Sequence, residues 1–468
     1  MTNGRCVINI SGECVLHGPI PQKVLSAIQR DNSFPNPQWT KTMQMGFSVW
    51  NIPKVLCLAT GNTEQVSFPR TYLGTAIGIL RANSINYEIR RQTFPMPGEM
   101  LAPVVPHANA DTLLNETLFG YQKQAVVKLL RSHNGLLMSP TGSGKSSMIA
   151  AVIAEKNVPA VVLLHTKGLL EQTQKELERF LGIEVGLLGG GKWNPMPVSV
   201  GMYQTLVKRD RSDPVFNMFG LMFADECQTV AANTFRKVAS WFNALFRYGC
   251  SATPSRKDGL TRIIHDVIGP IESKVSVDDV IKAGRIMWPE VETVRTDFWY
   301  NMPDSSQWGA MMTALSEDVK RNMLIAAKTR SAMEANPDAK IVILCERINQ
   351  ADMLADLLMD MSPVVLHGSK SAAVQRAGWE SIRAGAKLTI ATYSICGVGI
   401  NVPGWEILMM ASPIMGGGKY LQALGRITRV APGKDRALLC DFVDVKIPPL
   451  VHGYKQRKKL YELREASS

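Results

Sequence analysis

The segment 135–147, which reads GLLMSPTGSGKSS, constrains the fold of this chain more than any other segment. A short apolar run ends in a turn of serine, proline and glycine, and Lys145 then begins a helical pattern of apolar residues. This order predicts a strand, a phosphate-binding loop and a helix. Backbone N–H groups in such a loop point at an anion, and the helix N-terminus adds partial positive charge. The loop therefore predicts binding of a nucleoside triphosphate, although Ser139 replaces the first glycine of the usual pattern.

Individual residues of this loop have expected tasks. Lys145 reaches the outer phosphates, and Ser146 ligates magnesium. The positions expected to surround the phosphates are Thr141, Gly142, Ser143 and Gly144. The alternative at this point is that the glycines only mark a turn between a strand and a helix.

Two adjacent acids follow a second apolar run, residues 221–224. A strand that ends in carboxylates places them at the edge of a sheet, where magnesium chemistry needs them. We expect Asp225 to hold the metal ion and Glu226 to orient and deprotonate the attacking water. The alternative is that the pair caps a helix.

Polar residues near these motifs are candidates for coupling and for base recognition. Gln228 closes the acidic motif, and we expect the hydroxyls of Ser251 and Thr253 to relay the state of the phosphate site to the rest of the lobe. Tyr121 and Gln122 precede a helical pattern upstream of the loop, and a glutamine amide can pair with adenine through two hydrogen bonds. Gln122 is also compatible with an exposed position on that helix.

The alternation of apolar runs with helical patterns predicts an α/β fold with parallel sheets. Residues 1–94 have no triphosphate motif and are expected to form a small α+β accessory domain. The proline-rich stretch 95–117 is interpreted as a linker. Residues 118–290 are expected to form a first lobe that binds the nucleotide, and residues 291–468 a second lobe.

Composition narrows the function classes. The 468 residues carry a net charge of +12 with a pI near 9.3, which suggests a polyanionic partner such as nucleic acid. The eight cysteines form no C-x-x-C pair, so neither a zinc site nor a disulfide framework is indicated. No apolar run approaches the roughly 20 residues that span a bilayer. We expect a soluble cytoplasmic protein, in the host cell if the gene is a phage gene, with a monomer as the favoured state.

Two arginines in the second lobe form a further candidate site. Arg426 and Arg429 are three residues apart, so on a helix they lie on one face. Guanidinium groups fixed side by side can stabilise charge on a transferring phosphoryl group. The alternative is a solvated basic stripe.

The order of these motifs resembles the full motif series of superfamily-two helicases. The resemblance covers about residues 118–430 and rests on Tyr121-Gln122, SPTGSGKS, VVLLHTKGLLEQ, VGMYQTL, DECQ, SATP, LCER, ATYSICGVGINVP and QALGRITR. Within that superfamily, SATPSRKDG, IGPIESKVSVDDVIKAG and DVKRNMLIA are similar to segments of phage branch-migration helicases of the UvsW kind and of xeroderma-B type repair helicases.

The resemblance implies two tandem RecA-like lobes, ATP and Mg²⁺ as cofactors, and specific residue roles. It makes Arg426 and Arg429 arginine fingers and Gln422 a partner of the attacking water or the γ-phosphate. Gly399 and Asn401 fall in the motif that binds the ribose, where relatives commonly carry Asp in place of Asn401.

The resemblance also implies which residues contact nucleic acid. The motifs that line the nucleic-acid path in this family correspond here to His165, Thr166, Lys167, Gln204, Arg347 and Thr392. These motifs contact mostly the nucleic-acid backbone, which gives little sequence preference.

We therefore expect an ATP-dependent DNA helicase or translocase that remodels branched DNA by unwinding, fork reversal or Holliday-junction branch migration in phage-type recombination, replication or repair. Single-stranded, forked or four-way DNA is the expected partner. Two alternatives stay open: an RNA helicase, and a double-strand DNA translocase that does not separate strands.

Overall fold

The computed structural model describes residues 5–465 apart from 95–101, 107–110, 114–116, 231, 257, 303, 397–403, 416–419, 421–422, 426 and 431–432. The chain divides into two compact units. The first contains Met1–Pro140 and Gly144–Ser276, and the second contains Thr141–Ser143 and Val277–Ser468. Among the described residues, no helix combines the length and apolar character needed to cross a membrane.

The N-terminal region has the α+β structure expected for residues 1–94. Its strands are β1 (Cys6–Ile10), β2 (Cys14–His17), β3 (Ser33–Pro35), β4 (Val55–Cys57), β5 (Thr60–Gly61), β6 (Gln65–Phe68) and β7 (Tyr87–Arg91). Its helices are α1 (Gln22–Asp31), α2 (Pro37–Gln44) and α3 (Leu73–Ala82), with a short 3-10 helix at Arg70–Tyr72. The sheet has the order β5-β6-β2-β1-β7, and β3 pairs separately with β4. Alternate residues of β1 and β2 point into one apolar core, because successive side chains of a strand face opposite sides.

Arginine side chains hold the N-terminal region on the first lobe. Arg70 donates to the carbonyl oxygens of Ala244 at 2.6 Å and Leu245 at 3.2 Å. Arg262 of the lobe donates in the opposite direction, to the carbonyl oxygen of Asp31 at 2.5 Å. The N-terminal region and the first lobe consequently belong to one compact unit.

The first lobe is built on a sheet of order β11-β10-β12-β9-β13-β14-β8-β15. Its strands are β8 (Asn134–Met138), β9 (Ala160–Leu164), β10 (Gly186–Gly189), β11 (Lys192–Asn194), β12 (Val198–Met202), β13 (Leu221–Asp225), β14 (Phe246–Ser251) and β15 (Ile271–Lys274). Its helices are α4 (Gly120–Leu130), α5 (Lys145–Lys156), α6 (Lys167–Leu181), α7 (Tyr203–Leu206), α8 (Ala232–Trp241) and α9 (Thr261–Val267), with a 3-10 helix at Pro214–Asn217. All strand pairs are parallel except β10 with β11. Strand β9 is buried along its whole length, which is typical of a parallel sheet covered on both faces.

The second lobe is built on a parallel sheet of order β16-β21-β20-β17-β19-β18. Its strands are β16 (Glu290–Thr296), β17 (Ile341–Cys345), β18 (Val364–Leu366), β19 (Leu388–Thr392), β20 (Ile407–Met410) and β21 (Leu438–Asp444). The described helices of this unit are α10 (Val277–Lys282), α11 (Trp308–Glu317), α12 (Val319–Ala335), α13 (Ile348–Leu357), α14 (Ala372–Arg383), α15 (Tyr393–Cys396) and α16 (Pro448–Glu465), with 3-10 helices at Ser305–Gln307 and Met359–Met361. The α/β class predicted from the alternating pattern is confirmed.

Candidate active site

The predicted motifs of the first lobe meet at one edge of its sheet. Strands β8, β9, β12, β13 and β14 are mutually parallel, so their carboxyl ends lie at the same edge. The phosphate loop follows β8, Asp225 ends β13 and Ser251 ends β14. In an open parallel sheet this edge is where ligands bind.

The phosphate loop has the backbone that an anion cradle requires. Gly142 and Gly144 have φ angles of 84° and 77°, in the left-handed region that favours glycine. A Cβ added at Gly144 would lie 2.4 Å from Nε2 of Gln122, so a larger residue there would displace that amide as well as strain the backbone. The N–H of Ser139, the residue that replaces the usual first glycine, donates to the carbonyl of Ser251 at 3.0 Å. This bond ties the start of the loop to the end of β14.

Lys145 and Glu226 form an ion pair within this site. Lys145 Nζ lies 2.5 Å from Glu226 Oε1, and Gln228 Nε2 donates to Glu226 Oε2 at 2.5 Å. Glu226 has a φ of +47°, which is uncommon for a non-glycine residue. Thr229 stabilises this turn, since its N–H and its hydroxyl both donate to the carbonyl of Glu226. The backbone thus holds the carboxylate against the lysine in a conformation of the kind that clusters at functional sites.

The two acids of the motif have pKa shifts of opposite sign. Burial raises the pKa of Asp225, and the charge of Glu226 adds to this rise. Burial also opposes ionisation of Glu226, but the charge of Lys145 and its hydrogen bond outweigh that effect and lower the pKa of Glu226. The same attraction overcomes burial at Lys145 and raises the pKa of its ammonium group. Glu226 is therefore held as the anion, beside a carboxyl group that ionises less readily.

Cys250 is a member of the site that sequence reasoning missed. Its Sγ donates to Oδ1 of Asp225 at 2.9 Å. Burial raises the pKa of Cys250 well above its usual value, so the group remains a thiol and can donate. The signal available in the sequence is that Cys250 directly precedes Ser251, at the end of a strand. Residues at the ends of adjacent parallel strands lie side by side, which brings Cys250 next to Asp225.

The coupling candidates are linked through backbone and side-chain bonds. The N–H of Thr253 donates to Oγ of Ser251 at 2.9 Å. Arg256, which sequence reasoning also missed, donates to the carbonyl of Gln228 at 3.3 Å and to that of Val230 at 2.5 Å. The loop after β14 therefore holds the loop after β13.

The base-recognition candidates lie at the start of α4. Gln122 is 2% exposed, and its Oε1 accepts the N–H of Phe119 at 2.9 Å. The ring of Tyr121 stacks on that of Phe119, with centroids 6.2 Å apart. The close approach of Gln122 to Gly144 puts this amide beside the N-terminus of α5.

The predicted nucleic-acid residues of the first lobe share the same sheet edge. His165 follows β9, Thr166 caps α6 by accepting the N–H of Leu169 at 3.4 Å, and Lys167 is exposed in its first turn. Gln204 is exposed in α7, and its Nε2 donates to the carbonyl of His165 at 2.7 Å. Burial lowers the pKa of His165.

The second lobe is described in part at its predicted site residues. Arg347 directly precedes α13, is exposed, and donates to the carbonyl of Gly309 at 3.5 Å. Thr392 ends β19, is 3% exposed, and its Oγ1 lies 3.0 Å from Oγ of Ser394. Because β17 pairs with β19, Arg347, which follows the end of β17, and Thr392, which ends β19, belong to neighbouring strand ends.

Arg429 forms an isolated antiparallel bridge with Ile286, and its carbonyl accepts Nζ of Lys434 at 2.9 Å. The remaining predicted residues of this lobe lie outside the described residues: Gly399, Asn401, Gln422 and Arg426.

The donor set of the first lobe fits a magnesium–nucleotide complex. Oxygen ligands are the ones that Mg²⁺ prefers. The carboxylate of Asp225 lies at the carboxyl end of β13, and the Ser146 hydroxyl belongs to the first turn of α5. The cradle at Gly142 and Gly144 and the cation of Lys145 match a polyphosphate.

Two family models match the chain. The model described as type III restriction enzyme, res subunit, matches residues 115–256, and the helicase conserved C-terminal domain matches residues 320–431.

Curated relatives have helicase and translocase names. The chain is 27% identical over 160 residues to "DNA 3'-5' translocase XPB2" of Sulfurisphaera tokodaii, covering 34% of this chain and 36% of that protein. It is 25% identical to "DNA 3'-5' helicase XPB" of Mycobacterium tuberculosis, covering 66% and 57%. It is 22% identical to "Putative ATP-dependent RNA helicase L396" of Acanthamoeba polyphaga mimivirus, covering 75% and 69%. The chain thus spans between 36% and 69% of the length of these three relatives.

Solved structures share the fold. The chain matches S. cerevisiae Dbp5 bound to RNA and ADP BeF3 with a TM-score of 0.53 at 14% identity, covering 76% of this chain and 90% of that chain. It also matches T4 UvsW with a TM-score of 0.42 at 18% identity, covering 94% and 90%. The two parallel-sheet lobes have the tandem RecA-like fold of helicases.

Proposed function

Since the chain belongs to the superfamily-two helicases, in their XPB-like group, we propose that it is an ATP-dependent DNA helicase or translocase that remodels branched DNA. The observation that carries this proposal is the meeting of Lys145, Asp225 and Glu226 at one sheet edge. Nucleotide binding alone does not require an ionised carboxylate beside the phosphate loop, whereas hydrolysis requires a general base there.

The proposed chemistry is hydrolysis of ATP. Asp225 and Ser146 would hold a magnesium ion, which would neutralise charge on the outer phosphates. Lys145 binds the outer phosphates, and Gln122 recognises the adenine. Glu226 orients the attacking water and accepts its proton, a task that its anionic form supports. Arg426 and Arg429 stabilise charge on the transferring phosphoryl group.

Glu226 has two partners that make its position sensitive to the nucleotide. Its Oε1 binds Lys145 and its Oε2 binds Gln228. When Lys145 turns toward phosphate, the carboxylate keeps its bond to Gln228 and becomes available to water. Gln228 in turn is held by Arg256 through its carbonyl, which passes the change to the loop after β14.

DNA is the proposed nucleic acid, contacted through its backbone. Lys167, Gln204 and the capped N-terminus of α6 provide a cation, an amide and oriented N–H groups at one sheet edge. The net charge of +12 favours a polyanion. The names of the XPB relatives specify DNA and 3'-5' movement, and they support the same preference and direction here.

Two other outputs have specific support. The mimivirus relative is named an RNA helicase, which supports action on RNA. The archaeal relative is named a translocase, which supports movement along DNA without strand separation. Branch migration, fork reversal and simple unwinding are distinguished by the substrate on which ATP turnover and strand movement coincide.

The test is ATP hydrolysis at one fixed salt concentration with no nucleic acid, single-stranded DNA, duplex, a four-way junction and matched RNA. Salt is fixed because phosphate contacts make affinity steeply salt-dependent. Strand separation is scored in parallel on forks with a 3' or a 5' tail. Junction-stimulated turnover with branch movement supports the proposal. RNA-only stimulation or DNA-stimulated turnover without strand movement would replace it with the corresponding alternative.

A Glu226→Gln protein is the matched control in every reaction. Its strand movement is expected to disappear together with ATP turnover. Strand movement that persists without turnover would mean passive binding rather than a motor.

A further inference from the structure

The N-terminal region carries an exposed apolar loop that the ATP site does not use. Residues 36–54, here called the tip segment, leave the hairpin of β3 and β4 and contain α2. No residue of α2 is buried. Within the helix, Met43 is 58% exposed. Beyond the helix, the exposed fraction is 57% for Met45, 68% for Phe47 and 93% for Trp50. Large apolar side chains that are exposed together in one short segment are typical of an interaction site.

The composition of the tip segment favours a nucleic acid as its partner. The chain has no Asp or Glu between Asp31 and Glu64, whereas the tip segment contains Lys41 and Lys54. Lys54 Nζ lies 5.3 Å from the centroid of the Trp39 ring, a cation–π arrangement. Aromatic rings combined with cations and no acids are typical of surfaces on which bases stack beside a phosphate backbone.

The base of the tip segment is fixed. The side chain of Asn36 accepts the N–H of Gln38 at 3.0 Å and donates to the carbonyl of Pro53 at 2.8 Å, which closes the loop at its base. The N–H of Asn36 also donates to the carbonyl of Lys54 at 2.9 Å. Arg262 of the first lobe donates to the carbonyl of Ser33 at 3.4 Å, so the hairpin rests on the lobe.

A series of direct contacts connects this base to the ATP site within the first unit. Glu226 is bonded to Gln228, whose carbonyl accepts Arg256. Nε of Arg256 donates to Oδ1 of Asp258 at 3.0 Å. Gly259, with a φ of +76°, approaches α2 so closely that an added Cβ would lie 2.8 Å from Cγ of Pro37.

We propose that the tip segment is a strand-separating element, whose aromatic and methionine side chains stack on the bases exposed at a DNA branch point. This inference rests on the proposed function and assigns a part of the molecule to the separation step. The fixed base transmits movement of the first lobe to the tip, and the contact of Gly259 with Pro37 connects the tip to the loop beside Glu226. Translocation along single-stranded DNA does not require the tip.

The first experiment uses a Phe47→Ser, Trp50→Ser double variant of the full chain. Both side chains are exposed, so the change leaves the core intact. Trp299→Ser is the matched control, because Trp299 is 66% exposed and belongs to the second unit. ATP turnover with single-stranded DNA and unwinding of a forked duplex are measured for each protein.

The double variant is expected to keep its single-strand-stimulated turnover within twofold and to unwind the fork at least tenfold more slowly. Unwinding at the wild-type rate would overturn the proposal while leaving the proposed function in place. Equal loss of turnover and unwinding would also overturn it, since the tip would then be a general binding surface. Absence of nucleic-acid-stimulated turnover in the wild-type protein would instead defeat the proposed function.

A second measurement detects the stacking contact itself. The fluorescence of 2-aminopurine at the first base pair of the fork is expected to change on binding of the wild-type protein, and to change much less with the double variant. A probe ten base pairs inside the duplex serves as the reference position. Equal responses of both proteins at the fork would contradict base stacking and would favour a protein partner for the tip segment.

Discussion

Lys145 Nζ lies 2.5 Å from Glu226 Oε1, so the cation of the phosphate loop and the carboxylate after β13 form one ion pair. The pair joins two motifs 81 residues apart in the chain. The pair keeps Glu226 ionised and in place, and it holds the lysine that we propose binds the outer phosphates.

Changing either partner of the pair is expected to stop turnover for different reasons. Lys145→Ala should weaken ATP binding, because the cation is lost. Glu226→Gln should bind ATP and hydrolyse it about 10²–10⁴-fold more slowly, because the general base is lost. Binding is measured by titration with a fluorescent ATP analogue, and turnover by phosphate release.

Glu171→Gln is the control for the loss of one carboxylate, since Glu171 is exposed on α6. It should hydrolyse ATP at the wild-type rate. Normal turnover in Glu226→Gln would remove Glu226 from the catalytic assignment.

Cys250 is expected to support the metal site through Asp225. Cys250→Ala removes the donor 2.9 Å from Oδ1 of Asp225, whose pKa burial already raises. Less of this carboxyl group should then be ionised and positioned, so the Mg²⁺ concentration for half-maximal turnover should rise several-fold. Cys250→Ser retains a donor and should stay close to the wild type. Identical Mg²⁺ dependence in Cys250→Ala would show that the thiol does not position Asp225.

His165 is expected to make stability depend on pH below neutrality. Burial lowers the pKa of His165 below its usual 6.5, and its Nδ1 has no hydrogen-bond partner within the described part of the chain. Above pH 6.5 the imidazole is neutral in both the folded and the unfolded chain. As the pH falls through 6.5 toward the lower folded pKa, the unfolded chain takes up the proton first and stability is lost.

The apparent Tm is therefore expected to fall more steeply between pH 7.5 and 5.5 in the wild type than in His165→Asn. His452→Asn is the control, because His452 is exposed on α16. Equal slopes in the wild type and His165→Asn would contradict the burial argument.

The sequence was sufficient to predict the parallel sheets and the phosphate loop because these features are local. Strands β12 (Val198–Met202) and β19 (Leu388–Thr392) are short, mostly apolar runs, which is the pattern that predicts the parallel sheets. Strand β15 (Ile271–Lys274) lacks such a run, because its sequence IESK contains a single apolar residue. Its edge position leaves Ile271 and Lys274 exposed.

The contacts within the site could not be predicted, because they depend on which strands are neighbours. Cys250 reaches Asp225 only since β14 lies next to β13. The φ of +47° at Glu226 has no signal in the residue type. The packing of the N-terminal region depends on single arginines such as Arg70, whose partners are backbone carbonyls that any residue provides.

The segment DVKRNMLIA contributes to the core of the second lobe. Arg321 donates through Nε to Oδ1 of Asp444 at 2.7 Å and through Nη2 to Oδ2 at 3.1 Å, and both side chains are fully buried. Nη1 of Arg321 also donates to the carbonyl of Ala411 at 2.5 Å. These bonds fasten α12 to β21 with the charges of both partners satisfied.

Removing one member of this buried pair is expected to destabilise the second lobe strongly. Arg321→Leu leaves the carboxylate of Asp444 buried and, among the residues that the structure describes, with the hydroxyl of Thr296, 2.5 Å from Oδ1, as its remaining side-chain donor. Such a loss typically costs about 3–5 kcal/mol. The measurement is denaturant unfolding followed by a fluorophore attached to the second lobe.

Arg330 is the control, because it lies on the same helix as Arg321 but forms a solvent-exposed pair, with Asp360. Arg330→Leu should lower the free energy of unfolding by less than about 1 kcal/mol. Equal costs for the two variants would mean that burial does not determine the contribution of Arg321. A double change of Arg321 and Asp444 to apolar residues should recover part of the loss, because no unpaired charge then remains in the core.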